Sequence, residues 1–218
     1  MNILARGGVE FLAVLLGITI SLWVDENSKK KDIQLSLKND LINIKADLEN
    51  DLAEIDRIDS LKSLGIEQIN EYQKIISGAI KLSQIDTSIL LDGYGNVTLS
   101  FFPMGSSYLV SLNSGRINYI ENLNLITALS KYYQNSYERI KANNYLFDEF
   151  VNKHFFSFVA TIENKNTIQE KFNVIQSGRF SDYFNEAKQR AITYQDYVLL
   201  DVRSSAENLL IEIINHIE

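Results

Sequence analysis

Residues 11–24 read FLAVLLGITISLWV, and the chain runs on as DENSKKKDIQLSLKNDLINIKADLENDLAEIDRI to Ile58. The first of these stretches has no charge, and extending it back to Gly7 adds only that of Glu10. At 1.5 Å per residue, residues 7–24 span about 27 Å as a helix, close to the ~30 Å hydrocarbon core of a bilayer. Trp23 sits at the end of the run, where an indole favours the membrane–water interface, and Asp25 and Glu26 stop it. A cleaved signal peptide needs a small-x-small site, which Trp23-Val24-Asp25-Glu26 does not offer. A buried core helix is the alternative for an apolar run this short. The length and the terminal Trp favour an uncleaved single-pass transmembrane anchor over residues 1–26. The second stretch has no Pro or Gly, so the helix is expected to continue out of the anchor.

Within the anchor, Glu10, Ala13, Gly17 and Ser21 recur at three- and four-residue spacing and form one stripe. Small residues so placed let helix backbones approach closely, which makes the stripe a candidate helix-association face. A carboxylate facing lipid is costly, so Glu10 should face water, headgroups or another helix. Expected partners are therefore the membrane, entered by insertion, and a second copy or another membrane protein. An oligomer placing Glu10 around a water-filled path would be a membrane-permeabilising effector, the alternative function. A monomeric anchor with Glu10 snorkelling to the interface is the plainer arrangement. One basic side chain, Arg6, precedes the span and Lys29, Lys30 and Lys31 follow it, a count that favours a cytoplasmic C-terminal side.

Residues 27–218 read as a helical bundle domain. Leu37, Leu41, Ile44, Leu48, Leu52 and Ile55 make an apolar stripe in a helix expected to reach Ser77. Beside it lies an acidic stripe, Asp40, Asp47, Asp51 and Glu54. Four carboxylates on one face could hold a hard cation, or serve a tethered enzyme through Asp40 and Asp47. Calcium sites, however, come from curved loops, so a solvated face paired with nearby lysines is favoured. Residues 78–122 are irregular. Asp86 or Thr87 can cap a short turn, Asp92–Asn96 reads as a turn, and Val97–Phe102 as a short strand or an extended segment on the bundle. Gly93-Tyr94-Gly95 lacks the preceding residues and flanking membrane helices of a potassium filter. Ser106 is expected to cap a helix over residues 107–113, with Gly115 just past its end. Asn122 then caps a run from Leu123 to about Thr161, a short helix covers residues 167–175, and Ser181 caps the last helix. Short loops between long helices imply antiparallel neighbours. The expected fold is all-α: a transmembrane helix running into a long helix, then an antiparallel helical bundle with a short irregular insert.

Composition narrows the chemistry. The 218 residues include no Cys, 1 Pro and 2 His, and carry a formal charge of −7. Disulfides, Cys-ligated metals and a Cys nucleophile are excluded, and an acidic chain is a poor nucleic-acid binder. No nucleophile elbow, Walker loop, dinucleotide fingerprint or HExxH motif is present. His154 lies among aromatic residues and reads as packed rather than basic, and His216 suits a helix C-terminus. Tyr132, Tyr133, Tyr137, Tyr145, Phe147, Phe150, Phe155, Phe156 and Phe158 read as bundle core rather than a ligand pocket, with Phe101, Phe102 and Tyr108 covering the bundle end. No catalytic residue, metal or cofactor is expected. The function read from these residues is a membrane-anchored interaction, sensing or scaffolding module.

Glu10-Phe11, Gly17-Ile18, Ser21-Leu22-Trp23, Asp25, Leu37-x-x-Asp40-Leu41 and Asp47-Leu48-x-x-Asp51-Leu52 occur in order, followed by Phe102-Pro103, Tyr108-x-x-x-Leu112-Asn113-Ser114-Gly115, Ile120-x-Asn122, Leu125 and Tyr132-Tyr133. In this order they resemble a family of uncharacterised single-pass bacterial membrane proteins with a domain of unknown function. Asn113 stands where that family has Ser, and Phe-Pro lacks the family's spacer residue. The resemblance implies an N-terminal anchor carrying a helical domain, with no catalytic residues to transfer. The longer basic N-terminus of that family implies a periplasmic domain at the bacterial inner membrane, against the bare lysine count here.

Overall fold

The computed structural model describes residues 3–90 and 95–217, and the side chains of these except residues 3–10 and 89. Helix α1, Ile3–Ile76, is 74 residues long and unbroken. At 1.5 Å per residue it is about 110 Å from end to end. It is also the one helix among the described residues long and apolar enough to cross a membrane. From Phe11 to Asp32 every described side chain is exposed, and burial begins in earnest at Leu37. The continuous reading through residues 27–77 is therefore correct, and Gly78, at φ +72°, turns the chain out of the helix.

The rest of the chain wraps the distal half of α1, from Leu37 on. Four helices are short: α2 (Ser106–Asn113), α3 (Leu123–Ser130), α5 (Phe156–Glu163) and α6 (Ile168–Gln176). Three are longer: α4 (Tyr137–Phe150), α7 (Ser181–Thr193) and α8 (Leu200–Ile217). Helices α3, α4 and α5 form one rod joined by π-helical stretches at Lys131–Ser136 and Val151–Phe155, and a third stretch, Tyr194–Leu199, joins α7 to α8. The α7–α8 rod runs antiparallel to α1. Its contacts step backward as α1 advances: Lys38 reaches the Ile217 carbonyl, Asp56 pairs with Arg203, Gln195 donates to Asp59, and Gln73 donates to Asn185.

Two apolar clusters fill the bundle. One joins Leu37 through Ile58 of α1 to Leu125, Leu129, Tyr132 and the inner face of α8. The other joins Ile69, Tyr72 and Ile75 to Phe150, Phe158, Phe172 and Phe184. The aromatic rod is thus mainly core, although Tyr145 and Phe156 are exposed. Side-chain caps explain several helix starts. Asn122 accepts from the Asn124 and Leu125 amides, and Thr167 and Glu170 form a reciprocal capping box.

Some expectations need correction. Among the described residues there is no strand: Asn96–Thr98 is a 3₁₀ turn, and the chain then runs extended across the bundle without a pairing partner. The N-cap of α2 is Gly105 and that of α7 is Phe180, so Ser106 and Ser181 are first helical residues. Phe102 is exposed rather than part of the bundle end, while Phe101 and Tyr108 are buried. The expected turn at Asp92–Asn96 lies largely outside the described residues; its last part opens the 3₁₀ turn.

Candidate functional site

The acidic stripe of α1 holds the irregular insert in place. Asp40 makes a two-pronged ion pair with Arg116, at 2.6 and 3.0 Å. Asp47 accepts the Ser107 amide at 3.3 Å. Asp51 accepts both the Met104 amide at 2.9 Å and the Tyr132 hydroxyl at 2.6 Å. Glu54 pairs with Arg57 one turn along. The stripe is thus neither a solvated face paired with lysines nor a cation cage. Among the described residues no group of three or more His, Asp or Glu could hold a metal ion.

Two environments separate the carboxylates. Burial works to raise the Asp40 carboxyl, but the hydrogen bonds and charge of the Arg116 guanidinium outweigh it and hold it below the usual range. Asp51 is more deeply buried, and among the described residues no cation pairs with it. Burial, reinforced by the charge of Asp47, pushes it up to about 6 against the two hydrogen bonds it accepts.

Further along, the insert crosses the gap between the two apolar clusters. Here Lys62 is fully buried. Its ammonium donates to the Val97 carbonyl at 2.8 Å and sits over the rings of Phe147 and Tyr194, at 4.4 and 4.6 Å from their centroids. The rings and carbonyl offer electron density in place of water, but burial still pushes the amine down to about 7. The same two rings line an open cleft of about 360 Å³ between α4 and α7. One helical turn on, Gly65 faces Val97, and a Cβ there would lie 2.7 Å from the Val97 amide nitrogen and 2.7 Å from its Cγ1. Only a residue without a side chain lets the insert lie this close to α1.

Phe101 anchors the crossing. Its amide donates to the Tyr194 hydroxyl at 2.9 Å, that hydroxyl donates to Asn144 at 2.8 Å, and the Asn144 amide donates back to the Phe101 carbonyl at 2.7 Å. The loop of bonds satisfies a buried peptide that has no secondary structure to pair with. Tyr132 and Tyr194 both lie in π-helical stretches, whose extra residue per turn re-aims side chains. Tyr108 of α2 stacks on Tyr133 with centroids 4.0 Å apart.

The predicted association stripe stands apart from this clasp. Ala13, Gly17 and Ser21 are exposed, and a Cβ on Gly17 would meet nothing within 4 Å. Trp23 is exposed as well, and the side chain of Glu10 lies outside the described residues. His154 packs between Phe150 and Tyr183. Sequence reasoning missed Lys62, Gly65, Asn144 and Tyr194. The first carried a signal: Lys62 continues the spacing of Ile55 and Ile58 on the buried face, where a surface lysine does not belong.

Residues 9–189 match the model of a family of unknown function, DUF6090. The chain belongs to this family. The matched region takes in the apolar segment, the acidic stripe, the insert and Asn144, and ends before Tyr194. No curated protein matches the chain, and no solved structure does.

Proposed function

We propose that this DUF6090 chain is a single-pass protein of the bacterial inner membrane whose helical bundle is a non-catalytic interaction or scaffolding module. The carrying observation is α1 itself: one unbroken helix whose apolar stretch Phe11–Val24 is exposed, and whose length from Leu37 to Ile76 is the spine of the bundle. An exposed apolar surface of that length needs a covering, and a bilayer fits its dimensions. What supports the non-catalytic reading is how the acid–base groups are used. Asp40, Asp47, Asp51 and Lys62 are engaged with Arg116, Tyr132 and the main chain of the insert. The family resemblance favours the periplasmic side for the bundle, and the count of lysines after the span favours the cytoplasmic side.

Membrane fractionation with carbonate washing tests the reading. The full chain should stay in the membrane pellet, and Leu15→Lys with Ile18→Lys should release it. A wild-type chain found in the soluble fraction refutes it. Protease added to intact spheroplasts should degrade the bundle, and protection would place the bundle in the cytoplasm.

A further inference from the structure

The outward face of α1 carries a pattern that the bundle does not use. Leu35, Ile42, Ala46, Ala53, Ser60 and Leu64 are all exposed. They are spaced by seven or four residues, which at about 100° per residue keeps them within about 20° of one line. Leu37, Ile44, Ile55 and Lys62, which face the bundle, lie on the opposite side of the helix. The same line runs back through Ser28 and Val24 to Gly17, so it is continuous with the small-residue face of the apolar segment. From Val24 to Leu64 no charged residue falls on it.

The charges flank it instead, and their order is informative. One flank carries Lys31, Lys38, Glu49 and Asp56, and the other carries Asp32, Asn39, Asn50 and Arg57. Two parallel copies in register would bring Lys31 beside the partner's Asp32 and Asp56 beside the partner's Arg57. Lys38 and Glu49 would meet asparagines, and no like charges would face each other. Asp56 and Arg57 also pair within the chain, with Arg203 and Glu54, so they gain a second partner rather than a first. Residues 28–64 span about 54 Å, and a contact strip about 10 Å wide covers about 1,100 Å² over both copies, enough for a specific interface. The repeat of 7 + 7 + 4 residues equals five turns at 3.6 per turn, so the line stays straight and the helices can pair side by side without supercoiling.

We propose that two copies of this chain associate in parallel and in register along this outward face of α1, beyond the membrane. The parallel sense rests on the anchored reading given above; the face and the register do not. Disulfide trapping of the full chain in membranes tests the proposal, because the chain has no Cys of its own. Ala46→Cys and Ala53→Cys should each give a same-residue disulfide dimer, and Tyr145→Cys, exposed on α4 rather than on this face of α1, should not. Adding Ile42→Glu to Ala53→Cys should lower the dimer yield about tenfold or more, since it buries a charge in the contact. Dimers absent at both 46 and 53 in a chain that sediments with membranes overturn the proposal and leave the anchored reading standing. Trapping only through Gly17→Cys, or between Leu35→Cys and Leu64→Cys in differently tagged copies, overturns it too. Same-residue dimers in a chain that does not sediment support the outward-face contact and sink the anchored reading alone.

Discussion

Gly65→Ala sets two effects of known sign against each other. In an open helix the change is favourable by about 1 kcal/mol, because Ala loses less backbone entropy than Gly. At position 65 the new methyl would lie 2.7 Å from a main-chain nitrogen and 2.7 Å from Cγ1 of Val97. An ordinary contact would need the insert to retreat by about 0.7 Å or more, judged against the closest normal carbon contacts. The insert cannot retreat freely, because the Val97 carbonyl receives the buried Lys62 ammonium at 2.8 Å. Overpacking costs about 1–3 kcal/mol, and a weakened hydrogen bond to a buried charge costs about 1–3 kcal/mol more. After the helix gain is subtracted, the net is a destabilisation of about 1–5 kcal/mol. For a domain of this size each kcal/mol lowers Tm by about 2–4 °C. Thermal unfolding followed by circular dichroism in detergent measures it. Val97→Ala added to Gly65→Ala should recover only part of the loss, since the clash with the nitrogen remains. A Tm for Gly65→Ala equal to or above wild type would refute the claim that the insert presses on α1 at this point.

Three further outcomes follow from the clasp. Asp51 holds its proton more tightly folded, near 6, than at its ordinary 3.8, so its contribution to stability is fullest below 3.8 and is lost as pH rises through 6. Asp51→Asn should therefore gain in Tm relative to wild type between about pH 4 and 6.5, and parallel pH profiles would contradict this. Lys62 has the opposite linkage: its folded value near 7 lies below the ordinary 10.5, so wild-type stability should rise with pH across that window while Lys62→Met stays flat. Melting curves in a buffer series separate the two windows. Asn144→Ala strands the Phe101 carbonyl and removes the acceptor of the Tyr194 hydroxyl. It should cost about 2 kcal/mol, read as a fall in denaturant midpoint at unchanged slope.

The parts of this fold legible in the sequence were the local ones. The unbroken α1 follows from an absence of Pro and a sustained apolar spacing, and the Asn122 cap from a short polar side chain ahead of an apolar run. The acidic stripe was visible, but its meaning was not. Asp40 and Asp51 find Arg116 and Tyr132 at separations of 76 and 81 residues, and no local pattern announces such pairings. The π-helical stretches were equally hidden, because one inserted residue leaves little trace in a period averaged over several turns. Ser106 and Ser181 read as caps one residue late because a serine at the first helical position looks like a cap in sequence. Phe102 reads in sequence as covering the bundle end with Phe101, although adjacent residues of an extended chain point to opposite sides.

The absence of any break between the apolar end of α1 and its packed end has a mechanical consequence. From Val24 to Ile76 the rod is about 78 Å long, and no Pro interrupts it. A tilt of about 10° at the apolar end would sweep the far end, with α6 and the Phe-rich cluster, through about 14 Å, by the geometry of a helix rising 1.5 Å per residue. Rotation about the long axis would turn the whole bundle by the same angle as the apolar segment. A lever of this kind needs no signal relayed through side chains, because position and orientation at one end set those at the other.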